Sequence, residues 1–331
     1  MDIFLYGLVF LFSLLLTYLL IRYKDKINLS SHPNHRTVHK GIIPSSGGIA
    51  ILLSFLFGLL LFDTGINIEN IVAVVLVFFL GLYDDYFGAS SKQKIFFLFV
   101  VANILYFSGI YIENLGTYLG SEVLITGFVT YLFLVFVVVG FVNSVNLIDG
   151  LDGLASTIGI IILSSFLYLG IKFNDSYLIY MTSIYISSVL GYLYFNWSPA
   201  KIFMGDAGSL VLGIVILLVS IHAVNMHYIT PITILMLAAL PILDTILVMS
   251  RRILWGISPF TADKLHMHHI ILKHQKNNTR KTVFILGLLQ AVFTYLGLGF
   301  KTRDDILILV LFLMLVVLLY VLLMPMKKDT K

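Results

Sequence analysis

The sequence predicts an all-α polytopic membrane protein with about eleven transmembrane helices, ten being the alternative count. Hydrophobic residues make up 59% of the 331 residues, and Asp, Glu, Lys and Arg make up only 11%, against about 25% in a soluble domain. Uncharged apolar runs recur at close to the roughly 20 residues that a helix needs to cross a bilayer. These runs lack the alternation of a membrane barrel strand, so helices are the expected spanning elements.

Eleven apolar runs follow one another along the chain, and each predicts a helix. The third is the shortest, and the ninth contains Asp244. The runs are Ile3 to Ile21, Gly47 to Phe62, Ile71 to Tyr83, Ile95 to Ile112, Val123 to Val142, Leu154 to Ile171, Ser176 to Asn196, Gly208 to Met226, Pro231 to Ser250, Val283 to Phe300, and Ile306 to Met326. Short β-prone pieces around glycines within Ile110 to Thr126 predict a small hairpin. No tandem repeat and no long linker is visible, so residues 1–331 are predicted to form one membrane domain.

The basic residues predict the orientation of the chain. The first run has no basic residue before it and a basic stretch after it, the reverse of a cleavable signal peptide. We therefore expect it to remain as an anchor with the N-terminus outside. With eleven crossings, every Lys and Arg except Lys172, Lys301 and Arg303 lies in a predicted cytoplasmic loop, as the positive-inside rule requires. The C-terminus is then cytoplasmic.

Polar residues suited to catalysis gather at the predicted cytoplasmic ends of four of these helices, which predicts an active site in the cytoplasmic loops. Acids at the edge of a membrane are costly and usually functional, although Asp84 and Asp85 could also be a solvated helix stop. The three-residue spacing from Asn146 to Asp152 fits one side of a helical turn or a plain Asp-Gly turn. The residues are Asp84 and Asp85; Asn146, Asp149 and Asp152; Asp206; and His266, His268 and His269.

The segment from Phe203 to Ser209 places Asp206 in a glycine-flanked turn just before a helix. Glycines let a backbone approach a phosphate closely, and a helix N-terminus favours an anion. Several carboxylates in one cleft repel each other unless a cation intervenes. Oxygen ligands in a chain without cysteine favour Mg²⁺ or Mn²⁺. The pattern therefore suggests a diphosphate substrate bridged by a metal.

Two segments keep alternative interpretations. The histidines lie in a loop rich in Lys and Arg, which is either a polybasic segment attracted to anionic lipid or a donor cluster for substrate phosphates. Asp244 lies about two turns before Arg251, and pairing with a neighbouring helix or reaching the interface is its favoured role.

These motifs, with Pro33 to His39 and Ile43 to Gly48 of the first loop, resemble the polyprenyl-phosphate N-acetylhexosamine-1-phosphate transferases. Matches extend in order from about residue 33 to 272. The resemblance is strongest to the branch that loads GlcNAc-1-phosphate from UDP-GlcNAc onto undecaprenyl phosphate to start O-antigen, common-antigen or teichoic acid synthesis. Phospho-MurNAc-pentapeptide transferases usually show three consecutive histidines, which Met267 interrupts here. Ser45 and Ser46 stand where many sugar-nucleotide relatives carry arginine.

The resemblance implies that a UDP-N-acetylhexosamine and undecaprenyl phosphate give the lipid-diphospho-sugar and UMP. It implies Mg²⁺ as cofactor, with Mn²⁺ as a substitute, held by Asp206 and Asn146. It also implies four catalytic acids. Two of them, Asp84 and Asp85, would lie at the lipid phosphate, and the other two, Asp149 and Asp152, in the nucleotide and metal loop. The implied substrate contacts are Lys94, Phe203 at the uracil, Arg252, His266, His268 and His269.

Further expectations concern mechanism and location. A phosphate monoester is largely a dianion at neutral pH, so direct attack by the lipid phosphate is favoured over a covalent aspartyl intermediate, with Asp84 or Asp85 removing a residual proton. The resemblance implies a multi-pass protein of the bacterial cytoplasmic membrane, in contact with membrane lipids and without a nucleic-acid partner, for which a homodimer would be unsurprising. A polytopic transporter is the alternative from another class, although its ionisable residues would lie near the midplane. An outward-facing lipid-linked glycosyltransferase is a third.

Overall fold

A computed structural model describes residues 2–27, 29–31, 43–62, 64–258, 266–299 and 305–323. Helices form most of this part of the chain. They are α1 (Asp2–Arg22), α2 (Lys24–Ile27), α3 (Gly47–Leu61), α4 (Ile68–Phe87), α5 (Ser91–Phe107), α6 (Phe128–Leu147), α7 (Leu154–Phe173), α8 (Ser176–Asn196), α9 (Gly205–Asn225), α10 (Pro231–Leu237), α11 (Ala239–Leu254), α12 (Met267–His274), α13 (Thr279–Gly299) and α14 (Asp305–Leu322). Two antiparallel pairs complete it, β1 (Ser30–Ser31) with β2 (Ile43–Pro44), and β3 (Asn114–Tyr118) with β4 (Ser121–Leu124).

The helices confirm the class of an all-α polytopic membrane protein. Eight of the described helices are long and apolar enough to cross a membrane, and the bent pair α10 and α11 would make a ninth. Each of the eleven predicted runs overlaps a helix or this pair. Nine of the runs correspond to the eight spanning helices and the bent pair. The second and fourth runs correspond to α3 and α5, which are shorter, at 15 and 17 residues.

Helix α9 forms the centre of the bundle, with 94% of its apolar window buried. It packs against α3, α4, α6 and α7. Two glycines allow the closest approaches, because a Cβ on Gly48 would overlap the backbone of Gly208, and one on Gly81 would overlap that of Ala207. With no side chain between them, the backbones of α3 and α4 lie directly against the start of α9.

The ninth predicted run is not one helix but two, α10 and α11, which meet at Ala238 with a bend of 88°. The break leaves backbone groups without helical partners, and such groups are costly in an apolar interior. Gln290 of α13 satisfies two of them. Its Nε2 donates to the carbonyl of Leu237 (2.8 Å), and its Oε1 accepts from the N–H of Leu240 (3.0 Å).

The predicted hairpin is confirmed within Ile110 to Thr126. Its second strand, β4, overlaps the β-prone piece at Val123 to Ile125, whereas its first strand, β3, begins just after the piece at Ile110 to Ile112. Because residues 121–124 pair as β4, α6 begins at Phe128 and not at Val123. Asp305, at the start of α14 and fully buried, holds the hairpin in place. Its carboxylate accepts from the N–H of Thr117 (2.6 Å) and from Oγ1 of Thr230 (2.5 Å).

Successive long helices run in opposite directions, which gives the bundle two ends. We call the site end the one where α4, α6 and α8 finish and where α7 and α9 begin. The opposite end holds the hairpin and a cluster in which Asp175 binds His222 (2.8 Å) and Tyr228 (3.0 Å). Of the Lys and Arg residues that the structure describes, Lys172 is the one that lies at the opposite end.

Candidate active site

Asp85, in the last turn of α4, caps the start of α9. Its Oδ1 accepts from the N–H of Asp206 (2.8 Å) and its Oδ2 from the N–H of Ala207 (2.9 Å). The first N–H groups of a helix have no partner within the helix and carry a partial positive charge. The sequence predicted that this helix start favours an anion, and the carboxylate of Asp85 lies there.

Lys94 joins the acids of α4 and α9. Its Nζ donates to Oδ2 of Asp206 (2.9 Å) and forms an ion pair with Asp84. A capping box fixes the helix that carries it, because Ser90 Oγ accepts from the N–H of Gln93 (3.3 Å) while Gln93 Oε1 accepts from the N–H of Ser90 (2.8 Å). One ammonium group therefore bridges two carboxylates.

Asn146, in the last turn of α6, contacts Asp206 from the other side. Its Nδ2 donates to Oδ1 of Asp206 (2.7 Å) and to Oγ of Ser209 (2.8 Å). Both oxygens of Asp206 are thus bonded, yet a third of its side chain (33%) is exposed. Ser209 ended the motif that the sequence singled out, but no role was predicted for it.

Asp149 lies in the loop between α6 and α7, and it faces the carboxylates of Asp206, Asp85 and Asp152. Burial, followed by the charges of these neighbours, raises the pKa of Asp149 from 3.8 to about 7. These carboxylates outnumber the single positive charge of Lys94, so the cluster favours either a bound proton or a further cation.

Asn196 fixes the loop that carries these acids. Its Oδ1 accepts from the N–H of Gly153 (2.9 Å), and its Nδ2 donates to the carbonyl of Ile202 (2.8 Å). Asp152 adds a parallel contact, because its Oδ2 accepts from the N–H of Ala200 (3.1 Å). Three hydrogen bonds therefore tie the loop after α6 to the loop after α8.

The histidines lie against the same loop. A Cβ on Gly150 would overlap the ring of His268, so the absence of a side chain at Gly150 lets this ring pack on the loop backbone. The His268 ring lies 5.5 Å from that of His266 and 4.3 Å from that of His269, between centroids. Burial lowers the pKa of His268 to about 3, which favours the neutral ring near pH 7; such a ring still offers one N–H donor.

Phe203 and Arg252 occupy different settings. The backbone of Phe203 is tied to the start of α3, since its N–H donates to Pro44 (2.8 Å) and its carbonyl accepts from Gly47 (3.0 Å). Arg252 is buried on α11. The predicted motif from Pro33 to His39 lies outside the described residues, and so does the stretch 259–265 that precedes the histidines.

The donor set fits a magnesium ion that is shared with a substrate. Among the described residues, no group of three or more His, Asp or Glu side chains forms a ready metal site. Mg²⁺, however, is usually bound by one or two protein carboxylates and completed by water and substrate phosphate. Oxygen atoms for such an ion are available on Asp206, Asn146 and Asp149, within the cluster of carboxylates.

Sequence comparisons with known proteins show the family of this chain. Residues 67–224 match the profile of glycosyl transferase family 4, and this range contains α4 to α9 with the acids, Lys94 and Asn146. The undecaprenyl-phosphate alpha-N-acetylglucosaminyl 1-phosphate transferase of Yersinia pestis is 30% identical over 295 residues, which are 86% of this chain and 80% of that protein. The probable undecaprenyl-phosphate N-acetylglucosaminyl 1-phosphate transferase of Bacillus subtilis is 30% identical over 300 residues, 87% of this chain and 82% of that protein. The chain therefore belongs to glycosyl transferase family 4.

Proposed function

We propose that this chain transfers N-acetylglucosamine-1-phosphate from UDP-GlcNAc to undecaprenyl phosphate and releases UMP, as the first membrane step of a cell-surface polysaccharide. The names of its relatives support the acceptor and the sugar. The observation that carries the proposal is the network in which Lys94 bridges Asp84 and Asp206 at the start of the buried helix α9.

This network suits the transfer of a phosphoryl group between two anions. The lipid phosphate is already a good nucleophile because it is largely a dianion at neutral pH. The remaining barrier is electrostatic and geometric, since two negatively charged substrates must be aligned and the charge at phosphorus stabilised. Lys94 supplies a fixed positive charge, and Asp84 or Asp85 takes the residual proton of the acceptor.

Asp206 and Asn146 would hold the Mg²⁺ of the proposed site, next to Asp149. Bound there, the ion would polarise the donor diphosphate and offset the excess carboxylate charge. Asn146 already orients Asp206 through its amide nitrogen (2.7 Å), which leaves the amide oxygen of Asn146 as a ligand.

We also propose an orientation with the site end in the cytoplasm of a bacterial cell and with eleven membrane crossings. The described Lys and Arg residues, apart from Lys172, support this orientation through the positive-inside rule. The N-terminus then lies outside. Protection of tags placed at the hairpin and in the loop after α8 would test it, and protection on the same side would contradict it.

A purified-enzyme assay tests the proposed reaction. Labelled UDP-sugars are incubated with undecaprenyl phosphate, and UMP and lipid-linked sugar are measured with Mg²⁺ or with EDTA. We expect UMP release with UDP-GlcNAc, its loss in EDTA, and re-formation of UDP-GlcNAc from the lipid product and added UMP. Preference for UDP-MurNAc-pentapeptide would favour the related transferase, and substrate uptake by vesicles without UMP release would favour a transporter.

A further inference from the structure

Asp244 is a buried carboxylate on α11 with two partners in a distant segment. Its Oδ2 lies 2.7 Å from Nδ1 of His266, and its Oδ1 accepts from the N–H of Met267 (2.6 Å). Asp244 is 1% exposed and His266 7%. Burying a carboxylate in an apolar helix costs free energy unless the carboxylate is paired. The contacts with His266 and Met267 offset this cost for Asp244.

We infer that Asp244 is a positioning residue of the transferase site, which fixes the ring orientation and the tautomer of His266. This inference rests on the proposed function. An ionised carboxylate can only accept hydrogen bonds, and therefore the ring hydrogen that faces Asp244 must be on Nδ1. In the neutral ring, Nε2 of His266 is then the nitrogen that can accept a hydrogen bond or a proton.

The orientation of His266 reaches the acid loop through contacts between rings. The rings of His266 and His268 are stacked, with an angle of 17° between their planes, and His268 packs on Gly150, next to Asp149. Asp244 also binds the first residue of α12, Met267. One carboxylate thus sets both the start of α12 and the first ring of the stack.

The variant Asp244→Asn distinguishes a positioning role of Asp244 from a purely structural one. A structural role predicts lower stability with little change in kcat, whereas a positioning role predicts a lower kcat in a folded protein. Asparagine has the same shape as aspartate, and its Oδ1 can still accept a hydrogen bond from the N–H of Met267. Its Nδ2, however, can only donate to Nδ1 of His266, which moves the ring hydrogen to Nε2. We expect a folded protein whose kcat for UMP release falls about 10- to 100-fold, the range found when the partner that orients a metal-ligating histidine is removed. The KM for UDP-GlcNAc should change much less than kcat.

The matched control is Asp305→Asn. Asp305 is equally buried and also accepts two hydrogen bonds, but it lies at the opposite end of the bundle. It should lower the melting temperature and leave the kcat of the folded fraction close to wild type. In a His266→Ala background, Asp244→Asn should have little further effect on kcat, because the residue acts through that ring.

Selective ¹⁵N-histidine NMR of the full chain in nanodiscs provides a readout that does not need activity, with the His266 signals assigned by their loss in His266→Ala. The wild type should show hydrogen on Nδ1 of His266, and Asp244→Asn should show it on Nε2. An Nε2–H tautomer in the wild type, an unchanged kcat in Asp244→Asn, or an equal loss of kcat in the His266→Ala background would overturn the inference. A wild type without UMP release would refute the proposed function, while the NMR result would still decide the tautomer.

Discussion

Replacing Lys94 tests the central electrostatic argument of the proposed site. Lys94→Ala removes the ammonium group that bridges Asp84 and Asp206 and leaves these acids beside Asp85 and Asp149 without their cation. A hydrogen bond to a charged group contributes about 1.5–3 kcal/mol. At about 1.4 kcal/mol per tenfold change in rate, loss of one such contact with the substrate phosphate lowers kcat/KM about 10- to 150-fold.

The assay for Lys94→Ala is Mg²⁺-dependent release of UMP from UDP-GlcNAc, followed across a Mg²⁺ titration. Because the pocket becomes more negative without Lys94, we also expect half-saturation at a lower Mg²⁺ concentration. Lys92→Ala is the matched control, since Lys92 lies on the same helix and is exposed. It should stay within about twofold of wild type, as most surface substitutions do. Equal losses in the two variants, or an unchanged kcat/KM for Lys94→Ala, would refute the reasoning.

The remaining predictions concern three other residues. In Gly150→Ala the added methyl overlaps the His268 ring, so UMP release should fall at least about tenfold, as expected when supporting contacts of a site are displaced; Gly140→Ala, where a Cβ has open space, should leave it unchanged. The pKa of Asp149 is raised to about 7, so the folded state holds this proton more tightly than the unfolded chain. Its contribution to stability is therefore complete below the unfolded pKa of 3.8 and is lost as the pH rises through about 7. Asp149→Asn should flatten the decline in melting temperature from about pH 4 to pH 7, and an unchanged slope would contradict this. Gln290→Leu leaves the N–H of Leu240 unsatisfied and leaves the carbonyl of Leu237 with only the longer bond from Thr294 Oγ1 (3.5 Å). The free energy of unfolding in denaturant should therefore fall by about 1–3 kcal/mol, and full retention of stability would show that other groups satisfy the break.

Hydropathy predicts most of the helices because the backbone of a spanning segment must satisfy its own hydrogen bonds. It does not predict where such a segment is interrupted. The break at Ala238 depends on Gln290, which lies about 50 residues further along the chain and on another helix. Likewise, the predicted third run ended at Tyr83, whereas α4 continues to Phe87, because Asp84 and Asp85 find partners in Lys94 and in the start of α9.

The candidate site was predictable as a set of residues but not as a set of contacts. Spacing and residue type singled out Asp84, Asn146 and Asp206, and the structure brings them together. The pairing of Asp244 with His266 joins segments 22 residues apart, and the role of Gly150 depends on a ring more than 100 residues away. Neither distance leaves a local signal. The glycine that follows Asp149 was the only hint of a close approach at that point.

The hydrogen bonds from the start of α9 to the carboxylate of Asp85 have a consequence for inhibitor design. Many nucleotide-binding proteins offer the main-chain amides of a helix start to a phosphate, and inhibitors gain affinity by carrying an anionic mimic to that point. Here the amides of residues 206 and 207 are already taken by a carboxylate of the protein. A diphosphate mimic aimed there would meet repulsion, so a compound with a cationic or neutral donor group facing Asp85 is the better starting design.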